Sequence, residues 1–345
     1  MEFTIEQYRQ FVEDGQAIYG YNVNELHPGQ PGYRKDGHAK RADANESAFF
    51  KRQIEYIKAK TYDVKYKDLK AFDLIPISNE VPSGATQVTW RQFAGVGFAK
   101  IISDYANDFP RVDVYGVEST TLVRGIGASY GYNVAEVRRA QLANVPLDQK
   151  KANMTRRAIE QVINQLAWLG DTNYSINGLL NFPGITAATI PNDGTAASTL
   201  WTTKTPDQII RDLTNLIAAV VVTTNGKEMP TTLLLPISNY LYIANTRMGL
   251  PSDKTILSFF LENQRMAGTI QRVDWLPELT GAGANSVNRA IVYVQDEDHV
   301  TLEIPQPFEQ FPSDQEGMEF EIPCHAETAG VLVYYPLAVA YADGI

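Results

Sequence analysis

The stretch from residue 84 to residue 131 constrains the fold more than any other. Val88 and Trp90 alternate with Thr89 and Arg91, and Val96 to Ser103 continues in strand-like fashion. The breakers Asp104-Tyr-Ala-Asn-Asp-Phe-Pro110 interrupt, and the chain returns through Val112-Asp-Val-Tyr115 and Thr121-Leu-Val123. Alternation, break and alternation predict one long hairpin with its tip at 104–110. Two strands alone are marginal in water. A hairpin this long must fold back onto its own domain or lie across a neighbour.

The segments around it read differently. Thr4-x-x-Gln7 opens a short helix carrying Ile5, Tyr8, Phe11 and Val12. His27-Pro-Gly-Gln-Pro-Gly32 breaks it, and a second helix runs from about Asp43 to Lys60 with Phe50, Ile54 and Ile57 on one stripe. These helices carry few apolar residues, so residues 1–70 read as an arm that must lie on something else. Asn133-x-x-Glu136 caps a helix that Pro146 stops. Asp148 then caps a helix of roughly 21 residues, about 30 Å long, ending at Gly170. Ala158, Ile159, Val162, Ile163, Leu166 and Leu169 give it one apolar stripe, opposite Lys150, Lys151, Arg156 and Arg157.

Residues 171–285 read as mixed α/β. Thr205-Pro206 starts a helix that runs to about Val222, Thr231–Leu235 is a buried strand, and short helices follow near Ser238–Asn245 and Asp253–Asn263. Residues 286–345 are mostly strands: Ala290–Gln295, Val300–Ile304, Phe320–Ile322, Val331–Tyr335 and Leu337–Tyr341. The fold class is therefore α+β. With 345 residues, 44% of them hydrophobic, the chain is long enough for one large or two ordinary cores.

Charge is unevenly placed. The net charge is −10, which disfavours general nucleic-acid binding. From Arg34 to Lys70 there are 11 basic and 6 acidic residues, and from Ala290 to Ile345 there is no Lys or Arg against 11 Asp or Glu. The plainer reading is two solvated faces; the sharper one is that the basic arm of one copy meets the acidic part of another, since opposite fields steer association. The 18 tyrosines suit surfaces buried only on association. The single cysteine, Cys324, excludes an intramolecular disulfide and fits assembly in a reducing cytoplasm. The apolar run Ile209–Val222 is interrupted by Arg211, Asp212 and Asn215 and is too short to span a bilayer, so no membrane partner is expected.

Catalytic patterns are weak. Gly127-Ala-Ser129-Tyr-Gly131 matches a nucleophile elbow, with His299 and His325 downstream. No oxyanion segment of the His-Gly-Gly-Gly kind precedes it, and no repeated strand–helix units lead to it, so a serine hydrolase using Ser129 is only the rival reading from another class. Gly125-x-Gly127-x-x-x-Gly131 has the wrong spacing for a dinucleotide loop. Asp296-Glu-Asp-His299 reads as a solvated acidic turn rather than a cation site, and Cys324 and His325 must point to opposite faces of a strand. The four histidines show no ligand spacing, so neither metal nor cofactor is expected.

The order of parts resembles a known family. Asp73-Leu-Ile-Pro76 through Pro82-Ser-Gly-Ala85, Gly97-Phe-Ala-Lys-Ile-Ile-Ser-Asp104 and Asp108-Phe-Pro-Arg-Val-Asp113 are similar to the extended loop and its entry in tailed-bacteriophage major capsid proteins of the Hong Kong 97 type, on the branch related to encapsulins. Gly131-Tyr-Asn-Val-Ala-Glu136, Pro146-Leu-Asp-x-x-Lys150, Gly170-Asp171 and Ile176-Asn-Gly-Leu-Leu-Asn-Phe-Pro183 resemble the approach to that family's spine helix and the exit from it. The resemblance covers roughly residues 70–185 in sequence and the rest in architecture.

It implies an N-terminal arm at 1–70, an extended loop at 84–131, and a peripheral domain from 71–83, 132–171 and 291–345 with its spine helix at 148–169. Residues 172–290 would form the axial domain. It implies a non-enzymatic subunit that self-assembles into hexamers and pentamers of an icosahedral shell around phage DNA. The shell would be a virion capsid assembled in the host bacterial cytoplasm. Its partners would be further copies, scaffold, portal and decoration proteins, and double-stranded DNA held by weak non-specific contacts. An encapsulin-like compartment for protein cargo is the alternative within the same fold. Candidate inter-subunit contacts are Trp90, Arg91, Tyr105, Phe109 and Arg111 on the hairpin, and Arg156 and Arg157 on the spine.

Overall fold

Alternation of apolar residues puts two cores on the two faces of one sheet. In this computed structural model, residues 66–101, 109–143, 147–185, 187–249 and 253–345 are described. The arm helices expected near Thr4 and Asp43–Lys60, and the hairpin tip 104–108, lie outside them. From Leu69 on, the chain forms one compact unit.

In chain order the elements are α1 (Ala71–Leu74), β1 (Ile77–Ser78), β2 (Gln87–Val96), β3 (Asp113–Leu122), β4 (Arg124–Asn133), α2 (Val134–Ala143), α3 (Leu147–Leu169), β5 (Gly170–Asp171), β6 (Ile176–Asn177) and β7 (Ala187–Thr189). There follow α4 (Pro206–Thr223), β8 (Thr232–Leu235), α5 (Ile237–Asn245), α6 (Ile256–Ala267), β9 (Arg272–Trp275) and β10 (Arg289–Tyr293). The chain closes with β11 (Val300–Glu303), β12 (Gln306–Gln310), β13 (Asp314–Glu316), β14 (Glu319–Thr328), β15 (Gly330–Val333) and β16 (Val339–Asp343).

The central sheet runs β7-β16-β10-β8-β9. Its three central strands, β16, β10 and β8, are buried on both faces, and their side chains alternate between cores. Leu233, Leu235, Ala290, Val292, Ala340 and Ala342 face a core completed by Ile209, Leu213, Leu216 and Val220 of α4 and Phe260 of α6. Leu234, Ile291, Tyr293, Val339 and Tyr341 face the other core, completed by Ile159, Ile163 and Trp168 of α3. A cut at residue 290 therefore divides a single sheet, because β10 and β16 each serve both cores. The α4 helix starts as expected, with Thr205 and Gln208 forming a reciprocal capping box.

The second core is roofed by two further sheets. One is β1-β11-β15; in the other, β14 lies between β4 on one side and β12 and β13 on the other. Helix α3 begins at Leu147, one residue before the expected cap, and ends at Leu169. Gly170 follows with φ 65° and its Cα pressed against the backbone of Ile176 and Gly178, where no Cβ fits.

Three expectations need correction. Strand β2 stops at Val96, and residues 97–101 have no regular structure. The hairpin's return strand stops at Leu122, so the free-standing hairpin is 87–122 and not 84–131. The reason lies in β4: Ile126, Ala128, Tyr130 and Tyr132 alternate with Gly125, Gly127, Ser129 and Gly131. That one-sided pattern takes β4 to β14 over a core rather than onto β3. Nor is the apolar stripe of α3 all inward. Ile159, Ile163, Ala167 and Trp168 are buried, but Ala158, Val162 and Leu169 are exposed.

Candidate assembly site

The hairpin β2–β3 has ten residues in each strand, from Gln87 opposite Leu122 to Val96 opposite Asp113. That is about 30 Å of ladder. Its base is fixed to the body. The Trp90 ring meets the Tyr334 ring edge-on at 5.9 Å between centroids, and the Gln92 amide donates to the Tyr334 carbonyl. The Tyr334 hydroxyl in turn lies within hydrogen-bonding reach of Thr301 Oγ1 at 3.1 Å and Glu303 Oε1 at 3.4 Å, and both residues are buried on β11. Burial pushes the Tyr334 hydroxyl pKa up, and the neighbouring Glu303 carboxylate adds to it, so the phenol stays protonated and able to donate.

At the same level, cross-strand pairs hold the two strands of the hairpin together. Arg91 Nε donates to Glu118 Oε1 at 2.7 Å, and the hydroxyls of Thr89 and Thr120 meet at 2.9 Å. Further out, apolar side chains are exposed on both faces. Phe93 is 72% exposed, and Val96, Phe98, Phe109, Val114, Tyr115 and Val117 are also exposed. A contiguous exposed apolar ribbon is a feature typical of interaction surfaces.

The sequence-derived contact residues separate into two groups. Phe109 and Arg111 stand exposed on the hairpin, as an outward contact requires. Trp90 is engaged within its own subunit through Tyr334, and Arg91 through Glu118. Tyr105 lies outside the described residues. On α3, Arg156 is held by Glu160 at 2.8 Å one turn away and lies over the Phe308 ring, while Arg157 is half-buried. Sequence reasoning missed the exposed apolar residues Phe93, Val114 and Val117; the close run of apolar residues Val114, Tyr115 and Val117 was the available signal.

The hydrolase constellation is not assembled. Ser129 sits in mid-strand on β4 opposite Pro323, not at a strand-to-helix turn. His325 pairs with Gly127 on the same face, but its ring leans the other way: a Cβ on Gly125 would lie 2.7 Å from His325 Nε2. His299 is elsewhere, with Nε2 2.7 Å from Glu228 Oε2 and its ring against Tyr335. Cys324 is buried on the opposite face of β14 from His325, and desolvation raises its thiol pKa. Among the described residues, no group of His, Cys, Asp and Glu could hold a metal ion, and no helix is long and apolar enough to cross a membrane.

Comparison with known proteins gives the family and the fold. A family model described as major capsid protein matches residues 97–345. No curated protein matches the sequence. The capsid of Myoviridae phage XM1 is similar over 87% of this chain and 99% of its own, with a TM-score of 0.72 at 18% identity. A Mycobacterium phage Bobi structure covers 85% of this chain and 96% of its own, with a TM-score of 0.57 at 15% identity. The capsid of an empty GTA particle covers 86% and 97%, with a TM-score of 0.60 at 10% identity. At these identities the likeness is one of fold.

Proposed function

Because the chain belongs to the major capsid protein family, we propose that its copies form the hexamers and pentamers of an icosahedral shell around double-stranded DNA. The fold is of the Hong Kong 97 type, and the role is that of a structural shell subunit of the virion. The finer assignments are our reading. Hairpin 87–122 acts as the extended loop that crosses a neighbour. Helix α3 is the spine, and the α4–α6 layer is the axial domain that meets its copies at the symmetry centres. Assembly takes place in the host cytoplasm, with scaffold and portal proteins setting size and a unique vertex.

The observation that carries this reading is the two-sided apolar hairpin, anchored at its base and uncovered beyond it. A heterologous contact of this kind, repeated around a ring, closes without a partner of another sort. The test is negative-stain microscopy with size-exclusion chromatography of the full chain expressed alone. Closed particles tens of nanometres across are expected, and nuclease-protected DNA in particles from infected cells. A chain that stays monomeric when expressed alone and is also absent from particles in infected cells contradicts the shell reading; particles filled with protein and free of DNA contradict the assigned content and favour a cargo compartment.

A further inference from the structure

The outer face of the β12-β14-β13 sheet and β4 has no role in the account above. Inward from β14 point Ile322, Cys324 and Ala326, all buried. Outward on the same strand point Glu319, Glu321, His325 and Glu327. The flanking strands add carboxylates to that face: Glu309 of β12 stands opposite His325, and Asp314 of β13 directly opposite Glu321. Like charges directly opposed across a ladder repel. None of these five carboxylates has a cationic partner among the described residues. Glu309 accepts only from the Gln306 amide and Glu327 from the Gly84 backbone N–H. Lys151, the cation close by, is engaged by Glu136 at 2.9 Å and by the Gly131 carbonyl.

The face is also open to approach along part of β4. Its outward positions there are Gly125, Gly127, Ser129 and Gly131; the His325 ring leans over Gly125, and little side-chain bulk stands above the backbone from Gly127 to Gly131. The far edge of β4 carries no ladder among the described residues. At one end the face sinks into an open cleft of about 410 Å³ lined by Gly131, Glu136, Asp314, Glu319, Phe320 and Glu321. A sheet face with this much unbalanced negative charge and an open cleft calls for a cationic segment.

The sequence supplies one. Between Arg34 and Lys65 nine Lys or Arg stand against five Asp or Glu, with Arg34-Lys35, Lys40-Arg41 and Lys51-Arg52 as adjacent pairs. We propose that the acidic face of β12, β14, β13 and β4 docks the basic segment 34–65 of a second copy. This rests on the shell reading and adds a second inter-subunit contact to it, electrostatic where the hairpin contact is apolar.

Carbodiimide cross-linking joins Lys amines directly to carboxylates, so it reads this contact without requiring a closed shell. Full-length light and ¹⁵N-labelled chains are purified under dissociating conditions, mixed, allowed to associate and cross-linked. Mixed-isotope links from Lys40, Lys51, Lys58 or Lys60 to Glu309, Glu319 or Glu321 are expected. They should fall about tenfold when salt rises from about 0.05 M to about 0.5 M. Glu319→Gln with Glu321→Gln, a change that leaves the inward core residues intact, should lower the links at Glu309 severalfold. Absence of links from this segment to these carboxylates, or links only within one isotope, overturns the proposal. Microscopy of the same samples separates the two readings: particles without these links keep the shell and remove this contact, and links without particles do the reverse.

Discussion

Lys204 and Asp212 are an ion pair with no solvent on either side chain: the ammonium lies 2.6 Å from Asp212 Oδ2, 3.2 Å from Asp193 Oδ1 and 2.8 Å from the Pro191 carbonyl. Together they tie the 191–204 loop to α4. Asp212→Ala leaves the buried ammonium with Asp193 as its remaining carboxylate and should cost about 3 kcal/mol, the low end for a broken buried pair, while Lys204→Met with Asp212→Leu should cost far less. Thermal unfolding of the two variants at neutral pH checks the difference. From sequence, Asp212 was only an interruption in an apolar run, because its partner lies before the helix cap at no helical spacing. The alternation of Cys324 and His325 was legible, since strand period alone decides it. A second pair predicts a pH dependence. Burial alone would raise the Asp343 pKa, but the Arg289 guanidinium at 2.6 Å and the Ala284 N–H hold it below the usual carboxylate range. The unfolded chain then binds more protons than the native one as pH falls from about 4, so this contribution is complete above that pH and is lost through the lower folded pKa. Asp343→Asn should therefore be less stable than the parent at pH 7, and the gap should narrow below about pH 3. A constant gap in unfolding midpoints across that range would contradict the assignment.

The elements differ in how far local pattern determines them. Helix α3 and the hairpin strands were readable because their apolar spacing is regular and their breakers are close by. The pairing of β4 with β14 joins Tyr130 to Ile322, and no local signal reaches that far, so β4 was read as part of the hairpin. The exposed half of the α3 stripe was misread for a related reason: Val162 and Leu169 fit an apolar face by spacing, but the core takes in Ile159, Ile163, Ala167 and Trp168 and leaves them outside. At this scale Trp90 is the testable joint. Its edge-on contact with Tyr334 is worth about 1 kcal/mol beyond the area it buries. Trp90→Ala should speed amide exchange along Gln87–Val96 by about tenfold or more and leave the amides of α3 unchanged. Equal exchange in both would mean that the hairpin is held elsewhere. Removal of 104–110 should leave a folded, soluble subunit that builds no shells; normal shells from that deletion would remove the hairpin from assembly.

For the whole molecule, two contacts of opposite physical character should act on one assembly. The hairpin offers Phe93, Val114 and Val117, whose burial is indifferent to dilute salt and strengthened by sulfate. The acidic sheet face and the basic segment 34–65 attract through charge, which is screened beyond about 8 Å at physiological ionic strength. Raising sodium chloride should therefore slow assembly and lower its yield, yet leave a residue that does not vanish. Ammonium sulfate at the same ionic strength should recover much of the loss. Phe93→Ser should abolish the salt-resistant part, because a polar side chain at the uncovered ribbon removes area that only burial in a neighbour makes favourable. Light scattering during assembly of the parent and this variant in the two salts separates the terms. Yield insensitive to sodium chloride would leave the hairpin as the driving contact and remove the charged one. Complete loss in sodium chloride, with no recovery in sulfate, would show that the apolar ribbon is covered by something other than a second copy.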